Sequence, residues 1–248
     1  MESSSNIVYG RNPVIEAIKS GREIEKLYVS KTAGGSVSKI IKLARENNII
    51  VSTADNLTLD KLSGNKNHQG VLAACSVYKY YEVDDIINYA ESKKEKPFIL
   101  ILDGVTDTHN FGAIIRSAEV FGVHGIIIPK RRSATVNSTV VKTSAGAIEY
   151  MRIAKVSNIN NTISKLKDKG IWIVGTDLKA KEDFSKVDLD IPVAVVIGSE
   201  NTGVSKLVLE NCDFTVKIPQ KGNINSLNVS VAASLIMYQI MAKRENKA

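Results

Sequence analysis

The chain has 248 residues, 44% of them apolar and 24% charged, with a formal net charge of +7. A chain of this length buries roughly 70% or more of its unfolded surface, so one large domain or two modest ones need no disulfide staple. The N-terminal MESSSNIVYGRNP has neither a secretory nor a transit pattern, and no apolar run reaches the roughly 18 residues of a membrane span, so the expected setting is the cytoplasm. Cys75 and Cys212 share no CxxC spacing and read as reduced, buried thiols. The positive charge fits a polyanionic partner, although mild basicity is common among folded proteins.

Within an expected first domain of 1–78, residues 6–78 alternate helical and strand patterns. In RNPVIEAIKSG, Asn12 reads as the N-cap, Pro13 as the first helical residue and Gly21 as the end. IEKLYVS reads as a strand, SVSKIIKLARENN as an amphipathic helix and IIVST as a strand. A short helix at TLDKLSG, the polar loop NKNHQG and the strand VLAACSVY complete a small α/β unit. Residues 79–97 are charge-rich with one short apolar stripe, and are expected to be a linker with a helical turn or two.

A second βα alternation fills 98–248. Strands are expected at FILILD, GIIIP, MRIAKV, IWIVGTD, PVAVVIG and FTVKIP, and helices over 110–121, 138–145, 158–169, 203–211 and 226–244. Several of the strands are unbroken apolar runs, as parallel strands covered on both faces require. The expectation is a doubly wound, mostly parallel α/β domain.

Nucleotide and hydrolase signatures that often accompany this class are missing from the sequence. It contains no GxxxxGK[ST], no GxGxxG after the first strand of the second domain and no GxSxG. His68, His109 and His124 are scattered without metal-ligand spacing, so no metal is expected.

Three polar segments at strand ends remain. In DGVTDTHNFGAIIR, Asp103 closes a strand, and Asn110 and Arg116 follow near the start of a helix, with Asn110 as its cap. An arginine early in a helix opposes the macrodipole, which weakens a purely structural motive, while pairing with a nearby carboxylate is the plain alternative. In IGSENTG, Gly198 ends a strand and Glu200 is placed to pair with Arg116. In IPQKGNINSLNVS, Ile218 ends a strand and Ser226 is expected to cap the last helix, which leaves Asn228 and Ser230 unexplained.

NFGAIIR, IGSENTG and IPQKGNINSLNVSVAAS, in that order over 98–244, resemble the three motifs of the SpoU (TrmH) branch of the SPOUT RNA 2′-O-methyltransferases. VYGRNPVIEAI and NHQGVLA resemble the L30e-like, ribosomal-protein-like substrate domain of rRNA-modifying members. Within the family the likeness is greatest to bacterial enzymes that methylate a guanosine 2′-hydroxyl in the peptidyl-tRNA loop of 23S rRNA. One departure is Asp107-Thr108, where the family commonly has Asp-Pro.

The resemblance implies a C-terminal trefoil knot, a homodimer that shares residues across its interface, and S-adenosyl-L-methionine as cofactor. By position, Thr176, Gly198, Ile218, Ser226, Leu227 and Asn228 would hold the cofactor. Arg116 would stabilise a developing alkoxide or a neighbouring phosphate, or act as base in the bound complex, with Asn110 beside it and Glu200 orienting it; Ser226 and Asn228 would complete the pocket. Arg11, Asn12, His68 and Gln69 in the first domain are the candidate RNA contacts, with Lys130, Arg131 and Arg132 as a phosphate stripe in the second. Aromatic residues are 6% of the chain, so base stacking is not the expected main mode. Alternatives are a 2′-O-methyltransferase acting on tRNA or another rRNA site, including the resistance type, and a non-catalytic RNA-binding assembly factor.

Overall fold

A computed structural model describes residues 7–32, 34, 36–76, 78–223 and 226–245. Residues 1–6, which carry most of the N-terminal reading, and Ile224 and Asn225 of the last polar loop lie outside the described residues. The chain forms two compact units, one running to Lys79 and including Val136–Ser138, and one comprising Tyr80–Thr135 and the chain from Thr139.

The first unit runs β1 (Ile7–Tyr9), α1 (Arg11–Lys19), β2 (Ile24–Ser30), α2 (Ser36–Glu46), β3 (Val51–Ala54), α3 (Asn56–Ser63) and β4 (Val71–Cys75). Its sheet has the order β1-β4-β2-β3, with β4 antiparallel to both neighbours and β2 parallel to β3. Strand alternation turns Leu27 and Val29 toward Ala73 and Val71, and α2 lays Val37, Ile40 and Ala44 on the same core at helical spacing. Asn12 does not cap α1. The helix starts at Arg11, and the Gly10 carbonyl accepts the first helical bond, from Val14 N at 3.2 Å. Gly10 sits at φ 93°, a conformation open to glycine, so the cap position falls there. By contrast α3 has a side-chain cap: Asp55 accepts from Thr58 N at 2.8 Å, and the Thr58 bonds hold its carboxyl below the usual range.

The second unit runs α4 (Val83–Ser92), β5 (Phe98–Asp103), α5 (Thr108–Val120), β6 (Gly125–Pro129), α6 (Ser138–Thr143), β7 (Ile153–Val156), α7 (Ile159–Asp168), β8 (Trp172–Thr176), β9 (Glu182–Asp183), β10 (Val193–Gly198), α8 (Lys206–Glu210), β11 (Phe214–Lys217) and α9 (Val229–Glu245). Seven strands in the order β7-β6-β5-β10-β8-β11-β9 are joined by parallel pairings throughout, which is the expected doubly wound α/β architecture. The central strands β5 and β10 are the unbroken apolar runs, and every residue from Phe98 to Leu102 and from Val193 to Gly198 is buried. The chain leaves β5 for β6 and β7 on one side and returns to β10 on the other. That reversal opens a crevice at the carboxyl ends of β5 and β10.

The segment expected as a linker carries α4. A capping box of Glu82 and Asp85 starts this helix, and Ile86 and Ile87 enter the second unit's core beside Ile99 and Ile127. At the amino end of β5, polar groups are buried. His124 Nδ1 accepts from Phe98 N and Nε2 meets Glu95, each at 3.0 Å; burial pushes the imidazole below its ordinary pKa, with Glu95 acting against the shift. The Arg244 guanidinium, at the end of α9, donates to the carbonyls of Lys96, Pro97 and Ile191 at 2.8, 3.2 and 2.7 Å. Lys243 donates to those of Ser185 and Val187. Among the described residues no helix is long and apolar enough to cross a membrane.

Candidate active site

The loops after β5, β10 and β11 meet at the crevice. Asp103, at the end of β5, stands in register with Gly198 at the end of β10, and its Oδ2 accepts from Ser205 N at 2.8 Å across the two loops. The turn after Gly198 closes on itself, with Ser199 N donating to Gly203 O at 3.2 Å and Gly203 N to Ser199 O at 2.9 Å. A Cβ at Gly198 would lie 2.0 Å from Gly203 C and Val204 N. Only glycine permits this turn to fold back on its own strand.

Beneath the turn is a cavity of about 720 Å³, within the size range of ligand pockets. Thr176, Gly198, Ile218, Ser226 and Leu227, five of the six expected cofactor residues, line it, and so does Glu200. Asn228 does not line it. Ile197, Ile218, Leu227 and Ile236 give it apolar walls suited to a flat heteroaromatic ring, while Thr176, Ser226 and the 198–203 backbone give polar edges. That combination fits S-adenosylmethionine, with an apolar adenine face and charged amino-acid groups. Thr176 is fixed by its hydroxyl, which donates to Val196 O at 2.9 Å.

At the crevice, Glu200 Oε1 gathers donors from two distant segments. It accepts from Asn110 Nδ2 at 3.0 Å, Asn228 Nδ2 at 2.7 Å and Val229 N at 3.4 Å, and Asn228 Nδ2 also donates to Asn110 Oδ1 at 3.0 Å. Asn228 performs the second task here. Its Oδ1 accepts from Ser230 N at 3.0 Å and Val231 N at 3.4 Å, and its carbonyl accepts the first α9 bond from Ala232 N. Asn228, not Ser226, is therefore the cap of the last helix, which begins at Val229. Ser230 Oγ donates to the same Oδ1 at 2.6 Å, which accounts for a second polar residue in this turn. Asn110 is likewise not the cap of α5. Asp107 holds that position, accepting from Asn110 N at 2.7 Å, and so aims the Asn110 side chain outward to Glu200.

Arg116 stands apart from this cluster. It is exposed and six residues beyond Asn110, about 120° around the helix. The expected pair with Glu200 is not formed, because that carboxylate is held by the two asparagines. One turn beyond Arg116 lies the exposed Val120, and α9 packs beside α5 through Ser234 Oγ donating to Ser117 Oγ at 2.8 Å. Val231, Leu235 and Tyr238 on α9 are also exposed.

In the first unit, Arg11 donates through N to Gln69 Oε1 at 3.1 Å and through Nε to Gln69 O at 3.2 Å. His68 bridges Asp60 at 3.0 Å and accepts from Gly70 N at 3.0 Å. Arg11, His68 and Gln69 line a polar cleft of about 500 Å³ with Ser30, Asn56 and Asp60; Asn12 is exposed beside it and does not line it. Lys130, Arg131 and Arg132 are exposed after β6 in the second unit. Two cation–aromatic contacts had no sequence signal, since their partners are far apart in the chain: Lys155 Nζ lies 4.0 Å from the Tyr80 ring centroid, and Arg152 Cζ 3.3 Å from that of Tyr89. Cys212 is pushed up to about 12 by burial and Cys75 is raised by the same cause, so both thiols stay protonated. Among the described residues no group of three His, Cys, Asp or Glu is placed to hold a metal ion.

Residues 97–238 match the SpoU rRNA Methylase family, and residues 7–81 match the RNA 2'-O ribose methyltransferase substrate binding family. The Bacillus subtilis (strain 168) protein YacO, which carries a TrmH family tRNA/rRNA methyltransferase name, is 45% identical over 98% of each chain. The chain resembles the SpoU methyltransferase AviRb from Streptomyces viridochromogenes, solved in complex with AdoMet (TM-score 0.62, 24% identity, covering 97% of this chain and 90% of that one). It also resembles the A. aeolicus TrmH/SpoU tRNA modifying enzyme (TM-score 0.58, 32% identity, 66% and 84%). With its motif segments folded around one crevice, residues 97–238 matched by the family and 98% of the chain aligned with a 45% identical relative, the chain belongs to the SpoU rRNA methylase family.

Proposed function

We propose that this protein transfers a methyl group from S-adenosylmethionine to the ribose 2′-hydroxyl of a guanosine in the peptidyl-tRNA loop of 23S rRNA, acting in the cytoplasm as a homodimer. The observation that carries this reading is the Asn110–Glu200–Asn228 cluster beside a cavity whose walls suit the cofactor. Bound there, the cofactor supplies an electrophilic methyl group on a sulfonium sulfur. The chain's part is positional: Thr176, Gly198, Ile218, Ser226 and Leu227 hold the cofactor, and the cluster fixes the end of α9 and the β10 turn against each other. Alignment of two bound reactants supplies much of such a rate enhancement.

Arg116 acts on the attacking oxygen or an adjacent phosphate by stabilising negative charge, the task that suits the planar donor fork of a guanidinium. It lies away from the cluster of its own chain and on the side of α5 that carries Val120. An apolar face of Val120, Val231, Leu235 and Tyr238 supports pairing with a second copy, which would bring Arg116 to that copy's site. The first unit, matched to a substrate-binding family, supports recognition of a structured RNA beyond the methylated nucleotide.

The test is transfer of tritiated methyl from S-adenosylmethionine to total RNA of a strain lacking the gene, followed by mapping of 2′-O-methyl sites. Label at a guanosine of 23S rRNA is expected, and Arg116→Ala should lower transfer by about 10² or more while cofactor binding persists. Label confined to tRNA would replace the substrate with the second reading, which the relatives' tRNA/rRNA names also cover. No label in any RNA would end the catalytic reading.

A further inference from the structure

The net charge of the chain has a single address. Between Pro129 and Lys167 stand eight Lys and Arg side chains and one carboxylate, Glu149; outside that stretch the acidic and basic side chains are equal in number. The whole +7 is thus carried by the segment that forms the end of β6, then α6, β7 and most of α7. Lys167 is tied to Asp213 at 2.9 Å, whereas Lys130, Arg131, Arg132, Lys142 and Lys165 are exposed.

Sheet register connects this segment to the crevice. Gly198 pairs with Asp103, Ile101 with Ile127, and Pro129 with Val156, so the carboxyl ends of β10, β5, β6 and β7 form one level edge. Lys130 N donates to Val156 O at 2.8 Å, which holds the start of the basic loop on that edge. Three strand intervals separate Gly198 from Val156, roughly 15 Å. At the far side, Tyr81 bridges β7 opposite Ala154, and the half-buried Tyr80 carries the Lys155 ammonium 4.0 Å from its ring centroid.

We infer that the β6–β7 edge of the second unit, from Lys130–Arg132 to the Tyr80–Lys155 pair, is a docking track for the unpaired RNA strand that flanks the methylated nucleotide. The inference rests on the RNA methyltransferase reading and adds the path of the strand. Phosphates meet the basic loop, and a base stacks on the Tyr80 face opposite the one the Lys155 ammonium covers, the combination that binds single strands without reading their sequence. A duplex keeps its bases stacked inside and has no use for such a ring.

The test measures binding of the full-length protein to an unstructured labelled RNA oligonucleotide and to a duplex of equal length, across a salt series. Each single-strand phosphate contact adds about 0.7 to the slope of log Kd against log salt, so Ala at Lys130, Arg131 and Arg132 together should lower that slope by about 2. Tyr80→Ala should weaken single-strand binding about tenfold with the slope unchanged, and Tyr80→Phe should restore it. Calorimetric binding of S-adenosylmethionine, unchanged in all variants, certifies the fold. An unchanged slope in the triple variant, a Tyr80→Phe as weak as Tyr80→Ala, or tighter binding of duplex than of single strand would each overturn the track. If wild-type protein methylates RNA while these results hold, the track alone fails. If it methylates none, the catalytic reading fails and the binding data still judge the track.

Discussion

The two ends of the second sheet use polar groups in opposite ways. At the amino end of β5, the buried His124 and the half-buried Arg244 bond backbone groups, the Phe98 amide and the carbonyls of Lys96, Pro97 and Ile191, and His124 also meets Glu95. At the carboxyl end, Asn110, Glu200 and Asn228 remain accessible to solvent and bond one another across loops that are remote in sequence. The first arrangement closes strand ends that would otherwise leave buried backbone groups unsatisfied. The second holds side chains in a fixed relation without sealing them off, as a site must. Loss of a group at the amino end should therefore register as stability, and loss at the carboxyl end as binding and turnover.

The sharpest challenge to that division is Gly198→Ala, because this residue sits at the carboxyl end yet is buried. Its added methyl would meet backbone that cannot yield cheaply, so we expect a cost of about 3 kcal/mol together with at least a 100-fold loss of cofactor affinity. Urea denaturation and calorimetric titration check the two effects; full cofactor affinity in this variant would contradict the site geometry. Arg244→Ala tests the other end. Removing a half-buried donor to three carbonyls should cost about 2 kcal/mol in the same denaturation assay, while turnover of the folded fraction stays within about twofold of wild type. A large fall in turnover per folded molecule would erase the distinction between the ends.

The gentlest probe is pH. Burial keeps the folded-state pKa of His124 below its ordinary value near 6.5, so in the window just under that value the unfolded chain binds the extra proton and the folded one does not. The contribution of His124 is complete above about pH 6.5 and declines as the pH falls toward the folded pKa. A second proton would also have to displace the Phe98 amide from Nδ1. His124→Gln should flatten this part of the stability profile measured by thermal unfolding; an unchanged slope would show that the imidazole is not the group responsible.

Which of these features could be read in advance follows from the range of the interactions. The β5 and β10 strands were legible because short continuous apolar runs suit strands covered on both faces, whereas glycine and amide side chains at strand ends are ordinary loop residues, and it was the family resemblance that joined the three polar segments into one site. The helix α4 was obscured because its charged residues dominate 79–97, although Ile86, Ile87 and Ala90 form its buried stripe. Ser226 and Asn228 are both good cap formers two residues apart, so composition could not choose between them; the bonds to Ser230 and Val231 decide for Asn228. Opposite charge suggested Glu200 with Arg116, but charge carries no information about helix face, and the asparagines reach the carboxylate first. Contacts such as Tyr80 with Lys155 depend wholly on the fold, since nothing local links those positions.

One consequence attaches to α9. Its first turn is held by Asn228 at the crevice and its last carries Arg244 at the opposite end, so a single helix of 17 residues, about 25 Å long, is fastened at both ends of the sheet. It is also the last described helix to leave the ribosome, after every strand is already made. A chain interrupted before Ser226 would possess the whole sheet and the Gly198 turn, yet lack one wall of the cavity and the residue that fastens Glu200. The cavity and the anchor of Glu200 are thus completed only when the last of the described helices is in place.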